Sequence, residues 1–243
     1  MKGNSPPEAT ILAAMSTVPL TAQHLSQSRR WTAIGLVVAF FGMPIIIGLF
    51  SATQIPWTMR NVALRELALF GLAGGLAFII RNKERLGWES VGLQRPAAGN
   101  TALWVLITIL GVAFSIAVAF GLIKLLKLSV GSSDSAKYEL LPLWVLMLAI
   151  GRAGFIEEFF YRGYAIERLQ CLTGSRVIAA AIPLLLFAIF HYRQGWAGII
   201  IAILTGAVLT GVYLFKRNLW ITITAHFLVD FIPNIILPLF LSK

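Results

Sequence analysis

Three uncharged runs, Trp31–Met59, Pro96–Ile123 and Gln194–Phe215, each exceed the roughly 20 residues that carry an α-helix across a bilayer. In hydrocarbon the backbone must satisfy its own polar groups, so single apolar runs of this length fold as helices. Composition agrees: 58% of residues are hydrophobic and 12% charged, with a mean hydropathy of +0.83. Soluble domains carry about 25% charged residues. The chain is therefore expected to be an all-α polytopic membrane protein, a bundle of about seven, or eight, transmembrane helices. Seven spans fit, at 31–51, 62–80, 100–123, 141–162, 177–192, 196–215 and 218–241. The last contains Pro233 and Pro238, which kink it or end its regular part. Residues 1–30 read as a cytoplasmic tail and 31–243 as one transmembrane domain.

The net charge of +10 lies mostly in connections between apolar runs. No basic stripe interleaved with aromatics appears, which argues against a nucleic-acid partner. Lys and Arg favour the connections on the amino-terminal side, such as Arg29, Arg30, Arg81, Lys83, Arg85 and Arg176. The positive-inside rule then predicts an integral protein of the cell (inner) membrane with a cytoplasmic amino terminus. Arg65–Glu66 is expected near a membrane face, and Gly71–Gly75 offers a GxxxG spacing for close helix packing. Residues 81–95 read as a charged inner connection, and GSSDSAKYE (131–139) as the most polar loop. Cys171 is the single cysteine, which excludes an internal disulfide and a multi-thiolate metal centre.

Three polar intrusions interrupt the later spans: EEFFYRG from Glu157, FAIFH ending at His191, and HFLVD from His226 to Asp230. Acids and histidines at membrane depth are costly and mark function or pairing. On a regular helix Glu158 and Arg162 meet at i and i+4, which makes Glu158 a charge-paired support. Glu157 points about 100° away and has no local partner, so desolvation is expected to raise its pKa toward that of a general base. His226 and Asp230, also i and i+4, can face one cavity. Helix rise puts Glu157 and His191 within about 5 Å of one level, whereas His226 lies only about 12 Å in from the 216–218 turn and matches less well. A projecting 171–174 turn or an inward 192–196 loop would close that gap.

The ordered set EExxxR, FxxxH and HxxxD resembles the CPBP (Abi) family of intramembrane proteases, which groups CAAX prenyl endopeptidases with bacteriocin-processing and immunity proteins. The resemblance covers residues 140–240, the expected catalytic core, and WESVGL (88–93) is family-like as well. It implies Glu157 as the base that activates water, helped by His191. It further implies His226 and Asp230 at the substrate carbonyl, with Glu158 and Arg162 in support. Asp230 stands where many members have asparagine; an ionised aspartate only accepts hydrogen bonds, so it must be protonated, orient His226 or bind a metal. Zinc is chemically open, with Glu157, His191, His226 and Asp230 as its ligands if it binds, although no HExxH signature is present.

The expected activity is thus hydrolysis of a CAAX-like or bacteriocin-like, membrane-associated peptide in a hydrated cavity opening toward the cytoplasm. The competing readings are a non-catalytic immunity or regulatory membrane protein and a proton-coupled transporter.

Overall fold

The computed structural model describes residues 22–94, 98–129 and 141–238. Most of the expected tail (1–30) and the loop at 131–139 lie outside these. Among the described residues there are no strands, and the helices join into seven rods. α1 runs through Ala22–Val37, Val38–Gly42 and Met43–Ala52, and α2 through Met59–Phe78 and Ile79–Lys83. α3 is Ala98–Leu125. α4 joins Leu143–Arg152, Ala153–Ile166 and Glu167–Thr173, and α5 is Arg176–Ile189. α6 is Gly195–Lys216, and α7 joins Leu219–Phe231 to Ile232–Ile236.

Among the described residues five segments are long and apolar enough to cross a membrane: Arg29–Ala52, Met59–Lys83, Gly99–Leu125, Tyr192–Lys216 and Leu219–Ile236. The expected span at 141–162 became the charged α4, and that at 177–192 became the 14-residue α5, shorter than a bilayer requires. The surface pattern is that of a lipid-facing bundle. Large apolar side chains such as Leu49, Leu110 and Phe114 are exposed, while Glu66, Glu84, Glu158, Arg162 and Arg168 are buried. Water would impose the reverse.

Prolines and wide turns shape the rods. Pro44 follows a π-helical turn at Val38–Gly42, and Pro233 lies in another at Ile232–Ile236, where the regular part of α7 was expected to end. The longest wide stretch is Ala153–Ile166 in the middle of α4. Helices joined by i→i+5 bonds are rare and concentrate at functional sites.

α4 is the central rod and packs on α1, α2, α5 and α7, while α3 lies against α6 and α7. At Gly154 a Cβ would come within 2.8–3.0 Å of Phe227 Cβ, Cα and N, so α4 and α7 touch almost backbone to backbone there. The GxxxG glycines do not serve this purpose: nothing lies within 4 Å of a Cβ built at Gly71 or Gly75.

A buried polar layer ties the end of the bundle nearest the amino terminus. Arg168 donates to Glu84 Oε2 from Nη2 at 2.7 Å and to the Ser90 carbonyl at 2.8 Å. Tyr164 and Thr32 hydroxyls each donate to Glu84 Oε1 at 2.8 Å. Beside them, Tyr213 and Arg217 both donate to Glu167. The WESVGL segment closes this layer. Gly92 has φ +75°, available to glycine at low cost, and its carbonyl accepts from the Leu219 amide at 2.8 Å.

Breaking a buried ion pair by removing one partner costs about 3–5 kcal/mol, because it strands the other charge. Arg168→Met is therefore expected to lower the unfolding temperature in detergent clearly, and Glu84→Gln added to it to recover part of the loss. An equal loss in single and double variants would show that Glu84 does not depend on the guanidinium.

Candidate active site

The polar intrusions meet where α4, α5 and α7 cross. Glu158 is fully buried and its Oε1 accepts twice, from Arg162 Nη1 at 2.8 Å and from His226 Nδ1 at 2.9 Å. Its other oxygen, Oε2, has no hydrogen-bond partner among the described residues. Arg162 also donates to the Gly206 carbonyl of α6 at 3.3 Å and lies 4.5 Å from the centre of the Phe187 ring. One carboxylate thus gathers four helices.

Phe187 and His191 form a unit. His191 Nδ1 lies 2.7 Å from the Phe187 carbonyl, and the two rings are 4.7 Å apart. A carbonyl only accepts, so Nδ1 carries the proton and a neutral His191 keeps its Nε2 lone pair free. The same logic gives His226 a protonated Nδ1 facing Glu158; its Nε2 lies 3.7 Å from Asp230 Oδ2.

The depth mismatch expected for His226 resolves through projection of α4. Gly163 packs against Leu219, the first residue of α7, so residues 164–173 extend past the start of α7. At 1.5 Å rise that is about 15 Å. His226 then sits beside Glu158 with no inward loop required.

Glu157 is not without a partner. Its Oε1 accepts from Arg152 Nη1 at 2.7 Å, and Arg152 Nε donates to Glu66 Oε2 at 2.8 Å. Glu66 Oε1 also accepts from Arg65 at 2.7 Å. Regular helical spacing conceals the Arg152–Glu157 pair, whereas i→i+5 winding brings residues five apart back to one side. Arg65 and Glu66 are both buried within the bundle.

These groups border a cavity of about 730 Å³. Glu157, His191 and Asp230 line it; His226 is not among its lining residues and reaches it through Asp230. Tyr161 also lines it, and no described residue hydrogen-bonds its hydroxyl. The walls come from the later half of α1 (Met43–Gly48), the start of α2, the first half of α4, the α5–α6 connection and the end of α7. All of these lie at the bundle end opposite the amino terminus. A cytoplasmic amino terminus and a cytoplasmic mouth therefore cannot both hold.

The residues that sequence reasoning passed over are Glu66, Arg152 and Tyr161. Tyr161 lies within the quoted EEFFYRG motif, and Arg152 is a charge inside the expected 141–162 span. For Glu66 the intramembrane acid rule was the available signal.

The donor set does not fit a bound metal in this arrangement. Among the described residues no three His, Cys, Asp or Glu side chains form a group able to hold one. A guanidinium also sits on Glu157.

A family model described as type II CAAX prenyl endopeptidase Rce1-like matches residues 139–232. Over these residues the chain is similar to the CAAX-type proteases of the CPBP family. That similarity is to membrane peptide hydrolases. Comparison with curated proteins and with solved structures finds no match. The matched residues hold α4 to α7 with all three motifs, whereas Glu66 and the α1 wall lie before them.

Arg152→Gln is expected to destabilise the protein by about 3–5 kcal/mol, since it strands Glu157 and removes one of two cations from Glu66. In a double-mutant cycle with Glu157→Gln, unfolding in detergent should give a coupling of about 0.5–3 kcal/mol. Additive effects would mean that the pair is not energetically linked.

Proposed function

We propose that this protein is an intramembrane endopeptidase in which Glu157 activates water for attack on a peptide carbonyl. The observation that carries the reading is the convergence of Glu157, His191 and Asp230 on one cavity beside the buried Glu158–His226 pair. Arg152 holds Oε1 of Glu157, which leaves Oε2 to accept a proton from water. His191, with Nε2 unprotonated, can orient that water or receive its proton.

As the hydroxide adds, negative charge develops on the carbonyl oxygen and needs preorganised donors. Tyr161 supplies a hydroxyl without a competing partner. Asp230 donates only when protonated, and otherwise serves to orient His226. The tetrahedral species then collapses: the C–N bond breaks, the amine leaves with the proton that Glu157 or His191 returns, and a carboxylate remains.

A peptide ending in a carboxylate suits this cavity. Arg193 lies at its edge, donates to the Ser51 hydroxyl at 2.6 Å, and pairs with no carboxylate among the described residues. That is compatible with either substrate class implied by the family resemblance.

The test compares membrane peptides, by mass spectrometry, from cells making the protein or its Glu157→Gln variant. Cleavage products should appear only with Glu157, with a rate loss of about 10²–10⁴ on substitution. Unchanged products from a correctly inserted Glu157→Gln would defeat the assignment. With a substrate in hand, Tyr161→Phe should lower kcat by about 10²–10³ and leave KM nearly unchanged, as expected for a donor used only in the transition state. A change confined to KM would remove Tyr161 from that role.

A further inference from the structure

We propose that the cavity takes its peptide from the extracytoplasmic face of the membrane, so that the substrates are exported or outer-leaflet-anchored chains and not cytoplasmic CAAX tails. This rests on the peptidase reading for what happens in the cavity, but not for where the cavity opens. Three independent observations point the same way.

The first is the cavity wall. Every element that lines it does so with the half remote from the amino terminus, apart from Tyr161 just past the middle of α4. Among the described residues, the connections at the near end, between α2 and α3, α4 and α5, and α6 and α7, supply none of its lining.

The second is closure of the near end. From Glu158 to Ile166 every residue of α4 is buried. Beyond them the Glu84–Arg168–Tyr164–Thr32 cluster and the Glu167–Tyr213–Arg217 cluster fill the bundle cross-section with bonded polar groups. A peptide entering from that side would have to break buried ion pairs, whereas at the far end the described residues that border the cavity are Tyr192, Arg193, Gln194 and Asn234.

The third is charge. The near end carries Arg29, Arg30, Arg81, Lys83, Arg85, Arg176, Lys216 and Arg217, against Arg60, Lys124, Lys127 and Arg193 among the described residues at the far end. Near-end cations also sit over tryptophans, Lys83 at 4.8 Å from the Trp31 ring centre and Lys216 at 4.2 Å from that of Trp104. Cationic loops mark the cytoplasmic side, and tryptophan marks a membrane–water boundary. The closed end is therefore cytoplasmic and the open end is not.

Position-specific labelling tests this directly in intact cells. In a Cys171→Ala background, single cysteines are placed at the mouth (Gln194→Cys, with Thr53→Cys as a second reporter outside the motifs) and at the closed end (Leu172→Cys). All three sites are exposed. A membrane-impermeant maleimide should label the mouth cysteines equally before and after lysis, and Leu172→Cys only after lysis. Labelling of Leu172→Cys in intact cells, with both mouth cysteines protected until lysis, would overturn the proposal and leave Glu157-dependent cleavage untouched. Conversely, the expected labelling in a protein that cleaves nothing would keep the orientation and remove the peptidase.

Discussion

The whole site hangs on a single carboxylate oxygen in a dry place. Glu158 Oε1 accepts from Arg162 and His226 together, and Arg162 passes the connection on to the Phe187 ring and the Gly206 carbonyl. Lipid tails are as apolar as the helix surfaces, so burial alone does little to bring membrane helices together; packing and interhelical hydrogen bonds decide which faces meet. Here the bonds supply direction and Gly154 supplies proximity, because without a side chain there the Phe227 backbone can come close enough for His226 to reach Glu158. Without that approach Glu158 would keep Arg162 of its own helix but lose the bond that ties α4 to α7.

Charge is arranged in two layers around this point, and they do different work. Toward the amino-terminal end the acids are saturated: Glu84 receives three neighbouring groups and Glu167 two, which suits a rigid plug. On the cavity side the sequence Arg65–Glu66–Arg152–Glu157 alternates in sign and ends on an acid that keeps one oxygen uncommitted. A low-dielectric wall tolerates such a chain because each ion is offset by its neighbour. The last acid is then held in position and still able to accept a proton.

Local spacing made part of this legible and concealed the rest. Glu158–Arg162 and His226–Asp230 follow from helical i,i+4 geometry, and both are neighbours in the structure. The long apolar helices at α1, α2, α3, α6 and α7 were equally readable, since bilayer thickness sets their length. The Arg152–Glu157 pair was not, because a regular helical period is the wrong one for a stretch wound i→i+5, and no residue type announces that winding. Nor was the projection of α4, which depends on Gly163 meeting Leu219, 56 positions further along a chain that spacing rules do not connect. Glu66 and Glu84 show the same limit: each acid was visible, but its partner lies 86 or 84 residues away.

That separation has a consequence for where the activity resides. The matched residues 139–232 carry every motif, yet Glu157 is oriented by Arg152, and Arg152 is oriented in turn by Glu66 of α2. The α1 residues Met43, Pro44 and Ile47 complete the wall facing His191 and Asp230. Catalytic geometry must be held to a fraction of an ångström to be productive, and the groups that hold it matter as much as the reacting atoms. The motif-bearing helices therefore form half of a site. The earlier helices, which lie before the matched residues, finish the cavity and set the direction in which Glu157 points.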